Sequence, residues 1–118
     1  MYARDDGAAA GGWQRLPDSG HVEAAAESFR MLADPTRLRI LWLLCGAEHD
    51  VGTLAEKVDA ARPAVSQHLA KLRMTGLVGA RRDGRRMLYR ARGGHVRRLL
   101  GEAMEAVDHH LTGAPDHN

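Results

Sequence analysis

Apolar residues fall into a helical rhythm from Val22 onward: Val22, Ala25, Ala26, Phe29 and Leu32 follow the i, i+3, i+4, i+7 spacing of one face. Asp34-Pro35 predicts a break and a restart. Asp34 is a good cap for the next helix, and Pro35 suits its first position, where no N–H is missed. From Pro35 to about Cys45, Leu38, Ile40, Leu41, Trp42, Leu43 and Leu44 make the chain apolar almost all round, which predicts a central buried helix ended by Gly46. Two shorter helices follow. One has Val51, Leu54, Ala55 and Val58 on a shared face; after the turn Asp59-Ala60-Ala61, the other starts at Pro63 with Val65, Leu69 and Leu72, and Gly76 caps its end. The period then changes. Leu77 to Arg82 and Arg85 to Arg90 read as strands around Asp83-Gly84, a pair that predicts a type I′ hairpin turn with positive φ at both positions. A last helix starts near His95, with Val96, Leu99, Leu100, Ala103, Met104 and Val107 as its stripe, and ends near Thr112-Gly113. The expected fold is mainly α with a two-stranded β-hairpin. A helix-turn-helix followed at once by a basic ribbon is a winged helix-turn-helix. Residues 1–20, rich in Gly, Ala and Asp, read as a flexible arm, 21–112 as the folded domain and 113–118 as a tail.

A length of 118 residues suits a single domain. With 44% apolar but only 4% aromatic residues, its core must be built from Leu, Val and Ala. The net charge of +2 says little, but its distribution says more. Met1 to Ala61 carries 6 Lys/Arg against 10 Asp/Glu, Arg62 to Arg92 carries 9 against 1, and the remainder 2 against 4. A basic middle between acidic flanks is the footprint of a polyanion-binding segment. Cys45 is the only cysteine, which excludes an intrachain disulfide and fits a reducing compartment. No apolar signal core follows Met1, and the longest apolar run, Ile40 to Cys45, is too short to span a bilayer, so a cytoplasmic location without membrane attachment is expected.

With Val65, Leu69 and Leu72 turned inward, the Pro63–Thr75 helix presents Ala64, Gln67, Ala70 and Lys71 outward, with Ser66 and His68 on the flanks. Small residues allow close approach, and an amide reads base edges in the major groove; Gln67 is the candidate for a bidentate contact to adenine. Ser66, His68 and Lys71 are candidates for phosphate contacts, and Arg62 at the helix start for either kind. Arg81, Arg82, Arg85 and Arg86 crowd the hairpin tip and are expected to lie along the minor groove or the backbone of double-stranded DNA. A solvated edge ribbon kept soluble by charge is the competing reading. No Ser/His/Asp or Cys/His arrangement, phosphate loop or paired-carboxylate cleft is legible, so an enzyme is not expected.

These residues also resemble a known family. Phe29 to Leu41, reading FRMLADPTRLRIL, resembles the opening of the ArsR/SmtB family of metal-responsive repressors; Ala64 to Leu72 resembles its recognition helix, and Arg81-Arg82-Asp83-Gly84-Arg85 its wing. The resemblance spans Val22 to Leu111. It implies a homodimer paired through the first and last helices, bound to palindromic operator DNA and released when an inducer metal binds.

The metal sites of the family resemble this chain unequally. Members with a thiolate site carry two cysteines where this chain has Asp50 and Gly52. Members with a zinc site on the last helix match at His95 and His109, but not at Gly93 and Ala106. The nickel- and cobalt-sensing branch is more similar, both in Met31 to Asp34 and in Val65 to Met74. It implies ligands at His95, Asp108, His109 and His117, with Asp108 standing for a Glu, Asn118 for a second tail His, and His110 as an extra candidate. His95 and His109 are separated by roughly 21 Å along one helix, too far for one ion. Two antiparallel copies of the helix would bring His95 of one chain beside Asp108 and His109 of the other. An N/O set with more than four ligands favours nickel or cobalt over tetrahedral zinc, which is the alternative effector. Histidines near the end of a helix also suit its dipole without any metal. A repressor of this fold tuned by another signal therefore stays open, as does a metal-buffering protein with incidental basic charge.

Overall fold

The computed structural model describes residues 12–113. Most of the expected arm (1–11) and the tail from 114 on, His117 included, lie outside the described residues. Five main helices and a hairpin run in the order α1 (Ser19–Leu32), α2 (Pro35–Gly46), α3 (Val51–Val58), α4 (Arg62–Met74), β1 (Val78–Asp83), β2 (Arg86–Ala91) and α5 (Gly93–Thr112).

Three aspartates start three helices. Asp18, Asp34 and Asp50 each accept a backbone N–H three residues on, from His21 (3.2 Å), Arg37 (2.9 Å) and Thr53 (2.8 Å). The first of these caps places the start of α1 at Ser19 rather than at Val22, because a polar first turn leaves no mark in apolar periodicity. Gly46 is the last residue of α2 and not its left-handed cap; the chain leaves through an extended Ala47 (φ −167°). That exit carries His49 to a single bridge with Tyr89, with nitrogen-to-oxygen distances of 3.1 and 2.9 Å.

α2 is the hub. It packs on α1, α3, α4, α5 and β2, and its Ile40, Leu41 and Leu44 are buried. Around them sit Leu32 of α1, Leu54 and Ala55 of α3, Val65, Leu69 and Leu72 of α4, Val78 of β1, and Val96 and Leu100 of α5. The expectation of an all-round buried α2 needs correction, since Trp42 remains 51% exposed. The stripes of the two terminal helices are also only partly used within one chain. Val22 and Phe29 on α1, and Leu99, Met104, Val107 and Leu111 on α5, stay exposed.

The hairpin is one residue out of register with the expectation. Asp83 pairs with Arg86 and Arg81 with Leu88, so the turn is Gly84-Arg85, not Asp83-Gly84. Gly84 has φ +64°, whereas Arg85 does not adopt positive φ, the pattern of a II′ rather than a I′ turn. Charge explains the choice. A turn at Asp83-Gly84 would set Arg82 opposite Arg85 and Arg81 opposite Arg86, and like charges directly opposite destabilise a ribbon. The observed register instead sets Asp83 against Arg86, with carboxylate and guanidinium 3.7 Å apart. No helix among the described residues is long and apolar enough to cross a membrane.

Asp34→Ala should cost about 1 kcal/mol through loss of the α2 cap. Urea denaturation followed by circular dichroism would check this, and an unchanged midpoint would contradict the capping role.

Candidate nucleic-acid interface

α4 presents the surface that the buried spacing dictates. Val65, Leu69 and Leu72 turn into the core, and Arg62, Ser66, Gln67, Ala70 and Lys71 are exposed on the other side. Among the described residues the side chains of Ser66, Gln67 and Lys71 take part in none of the hydrogen bonds or ion pairs, so their polar groups face solvent. Arg62 is placed differently. Its guanidinium lies over the first turn of α3, so close that a Cβ on Gly52 would stand 2.7 Å from Nη2.

His68 is half-buried, and its Nδ1 faces the Arg37 guanidinium at 3.4 Å. Arg37 also donates from Nε to the Met31 carbonyl (2.7 Å) and from Nη2 to the Arg30 carbonyl (3.5 Å). It therefore joins the end of α1, the start of α2 and the recognition-type helix α4. The backbone N–H of Arg37, followed by the Arg37 charge, holds the Asp34 carboxyl below the ordinary aspartate range.

The structure divides the four wing arginines into two classes. Arg81 donates from Nε and Nη2 to both carboxylate oxygens of Glu48, at 2.8 and 2.9 Å. Arg86 reaches Asp50 at 3.4 Å as well as Asp83. Arg82 and Arg85 are exposed and form no ion pair among the described residues. Acids outside the ribbon thus already neutralise two of the four wing arginines. Glu48 and Asp50 were missed by sequence reasoning, because their pairing depends on His49 being bridged to Tyr89 some forty residues on. Their signal was faint but present, as two acids immediately before α3 in a chain whose basic residues are concentrated after it. The Arg81 hydrogen bond lowers the Glu48 pKa, and backbone and hydroxyl bonds from Thr53, then Arg86, lower that of Asp50.

The metal-ligand candidates occupy the two ends of α5. His95 is exposed in its first turn, and its Nδ1 meets Arg98 Nη2 at 2.9 Å. Asp108 and His110 are exposed and His109 half-buried near the other end. Among the described residues of one chain no three His, Cys, Asp or Glu side chains converge on a common point. Their nitrogen and oxygen donors are of a kind that transition metals take, but one chain does not bring them together among the described residues. His21 lies in the first turn of α1 with its ring against the Asp18 carboxylate, and Cys45 is half-buried with its thiol pKa raised by burial.

Residues 34–79, from the cap of α2 into β1, match the family model for bacterial regulatory proteins of the arsR family. The chain is 48% identical over 103 residues to the HTH-type transcriptional regulator KmtR of Mycobacterium tuberculosis, covering 87% of this chain and 78% of that one. Its fold is similar to a homodimeric winged helix-turn-helix DNA-binding domain from Mycobacterium bovis, with TM-score 0.77, 32% identity, and coverage of 87% and 97%. It is also similar to NolR from Sinorhizobium fredii, with TM-score 0.69, 39% identity, and coverage of 78% and 94%.

Glu48 has a lowered pKa in the folded chain, so its contribution to stability is complete above the unfolded value of about 4.3 and is lost as pH falls through the folded value. Urea midpoints measured from pH 6 down to pH 3 should fall less steeply for Glu48→Gln than for the natural chain. Parallel pH curves would count against the Glu48–Arg81 anchor.

Proposed function

Because the chain belongs to the arsR family of bacterial regulatory proteins, we propose that it is a homodimeric repressor that reads operator DNA with α4 and releases it on binding a transition metal, nickel or cobalt in the first instance. As a family member it is a DNA-binding transcriptional regulator and not an enzyme. The observation that carries the DNA-reading role is the outer face of α4. Ser66, Gln67 and Lys71 point outward from a helix pinned by three buried residues, beside a wing that keeps Arg82 and Arg85 open. In this reading Gln67 contacts a base, and Ser66, Lys71, Arg82 and Arg85 contact phosphates or the minor groove. Arg62, Arg81 and Arg86 first hold the helix-turn-helix and the wing in place, and His68 orients α4 through Arg37.

The exposed apolar stripes of α1 and α5 support dimerisation, and a dimer would present two α4 helices to a palindromic operator. The donors on α5 support the metal role. His95 of one protomer, with Asp108, His109 and His110 of the partner subunit and the tail His117, would supply nitrogen and oxygen ligands at each end of an antiparallel pair. A bound divalent ion would supply a rigid cross-link between the two α5 helices. His95 and Asp108 then act by fixing the angle between protomers, and with it the spacing of the two α4 helices.

Titrating the protein on its own promoter DNA with nickel, cobalt and zinc, followed by fluorescence anisotropy, tests both parts. Release by nickel or cobalt but weakly by zinc, lost in His95→Ala and His109→Ala variants that still bind DNA, is the expected result. DNA binding indifferent to all three metals would remove the metal role and leave a repressor answering to another signal. Gln67→Ala should cost about 1–3 kcal/mol at the contacted base pair and relax discrimination there. Replacing Arg82 and Arg85 together by Ala should instead weaken all sequences alike and reduce the salt slope by about 2.

A further inference from the structure

The α2–α3–α5 side of the molecule carries a feature that DNA reading does not use. Leu38, Trp42 and Leu43 of α2, Val58 of α3 and Met104 of α5 line an apolar groove of about 420 Å³, within the range of about 300–1,000 Å³ typical of small-molecule sites. Trp42 also walls a second hollow of about 260 Å³ beside Leu100 and Gly101 of α5, so its indole stands between two hollows and stays half exposed on the hub helix. Two cations border the groove. Arg39 lies one turn before Trp42 and Leu43 on α2, and Lys57 stands next to Val58 at the end of α3. Among the described residues no acid lines the groove. Glu56 and Asp59 lie close to Lys57 in the chain and Glu105 follows Met104, but none of these forms an ion pair with Arg39 or Lys57. Arg30, Arg81 and Arg86, by contrast, are each held by a carboxylate.

We propose that this groove is a binding site for a small amphipathic carboxylate, with its apolar body against Trp42, Leu43 and Met104 and its carboxylate between Arg39 and Lys57. Both halves of the site argue for that class. Apolar walls around an aromatic ring gain by being covered and offer no polar partner in exchange, so the body of the ligand is hydrocarbon. Two cations from different helices at one rim gain from an anion placed between them, and the planar fork of Arg39 matches both oxygens of a carboxylate. The apolar walls lower the local dielectric and strengthen that attraction over its value at an open surface. A neutral apolar ligand would leave both cations unused, and an inorganic anion would leave the groove uncovered. The site shares no residue with the outer face of α4 or with the metal donors, and binding there depends on neither reading. A second copy of the chain is the rival occupant, because Met104 also belongs to the exposed stripe of α5.

Trp13 and Trp42 are the only tryptophans in the chain, so in the full-length Trp13→Phe variant Trp42 alone reports on the groove. Sodium octanoate and octanol, alike in chain length and different in charge, are titrated into this variant. The expected result is a saturable blue shift of Trp42 emission with octanoate, at one site per chain and about tenfold tighter than with octanol. Adding Arg39→Gln and Lys57→Gln should bring octanoate down to the octanol affinity while octanol stays within about twofold, with the far-ultraviolet circular dichroism unchanged. No saturable shift, equal affinity for the two compounds before those substitutions, or a preference for octanoate that survives them would overturn the proposal. Repeating the octanoate titration over protein concentrations at which sedimentation shows different oligomeric states separates the rival occupant. An affinity that holds throughout supports the ligand site. An affinity that disappears as chains associate would assign the groove to a second copy and overturn it.

Discussion

Burial of one helix governs the rest of the structure. Ile40, Leu41 and Leu44 of α2 are removed almost entirely from water, and nearly every other element gains stability by covering part of that helix. α2 holds this central place because its start is unambiguous. Asp34 caps α2 through the Arg37 N–H and is followed by a proline at a position where a missing N–H is harmless. Arg37 then reaches back to two carbonyls of α1 and across to His68, so the direction of α4 is tied to the same point in the chain from which α2 begins.

The nucleic-acid face is built by separating structural charge from available charge. A basic wing is self-repelling, and only an ordered wing holds its cations at a defined distance from α4. Glu48 and Asp50 neutralise Arg81 and Arg86, and the His49–Tyr89 bridge holds the acids in place. Arg82 and Arg85 are left without acid partners toward the tip, where phosphate charge can replace solvent. Exposed ion pairs contribute little to global stability, so their role here is to fix geometry rather than to hold the fold together.

One chain is incomplete as a regulator in two separate respects. Its terminal helices expose apolar stripes that a monomer cannot bury, and its candidate metal donors stand at opposite ends of a 20-residue helix. In the function proposed above, both deficits are met by the same operation, a second copy placed antiparallel on α5. That coincidence gives a route for signal transmission. In that proposed dimer, whatever sets the angle between the two α5 helices would also set the separation of the two α4 helices, because both helices pack on α2.

The order of elements, the inward faces of α3 and α4 and the place of the wing were legible in the sequence by itself, because they depend on local signals: apolar periodicity, an Asp-Pro restart, and a change of period around a glycine turn. The candidate α4 contacts followed from the same periodicity, since whatever is not Val65, Leu69 or Leu72 must face outward. Only the tertiary structure decided the hairpin register, the division of the wing arginines and the placement of Arg62 and His68. Each of these depends on a partner far away in sequence: Glu48 for Arg81, Asp50 for Arg86, Gly52 for Arg62 and Arg37 for His68. The same holds for the exposed Trp42. Periodicity records that a helix is apolar, but whether a given side is covered depends on how many neighbours the folded chain can bring to it.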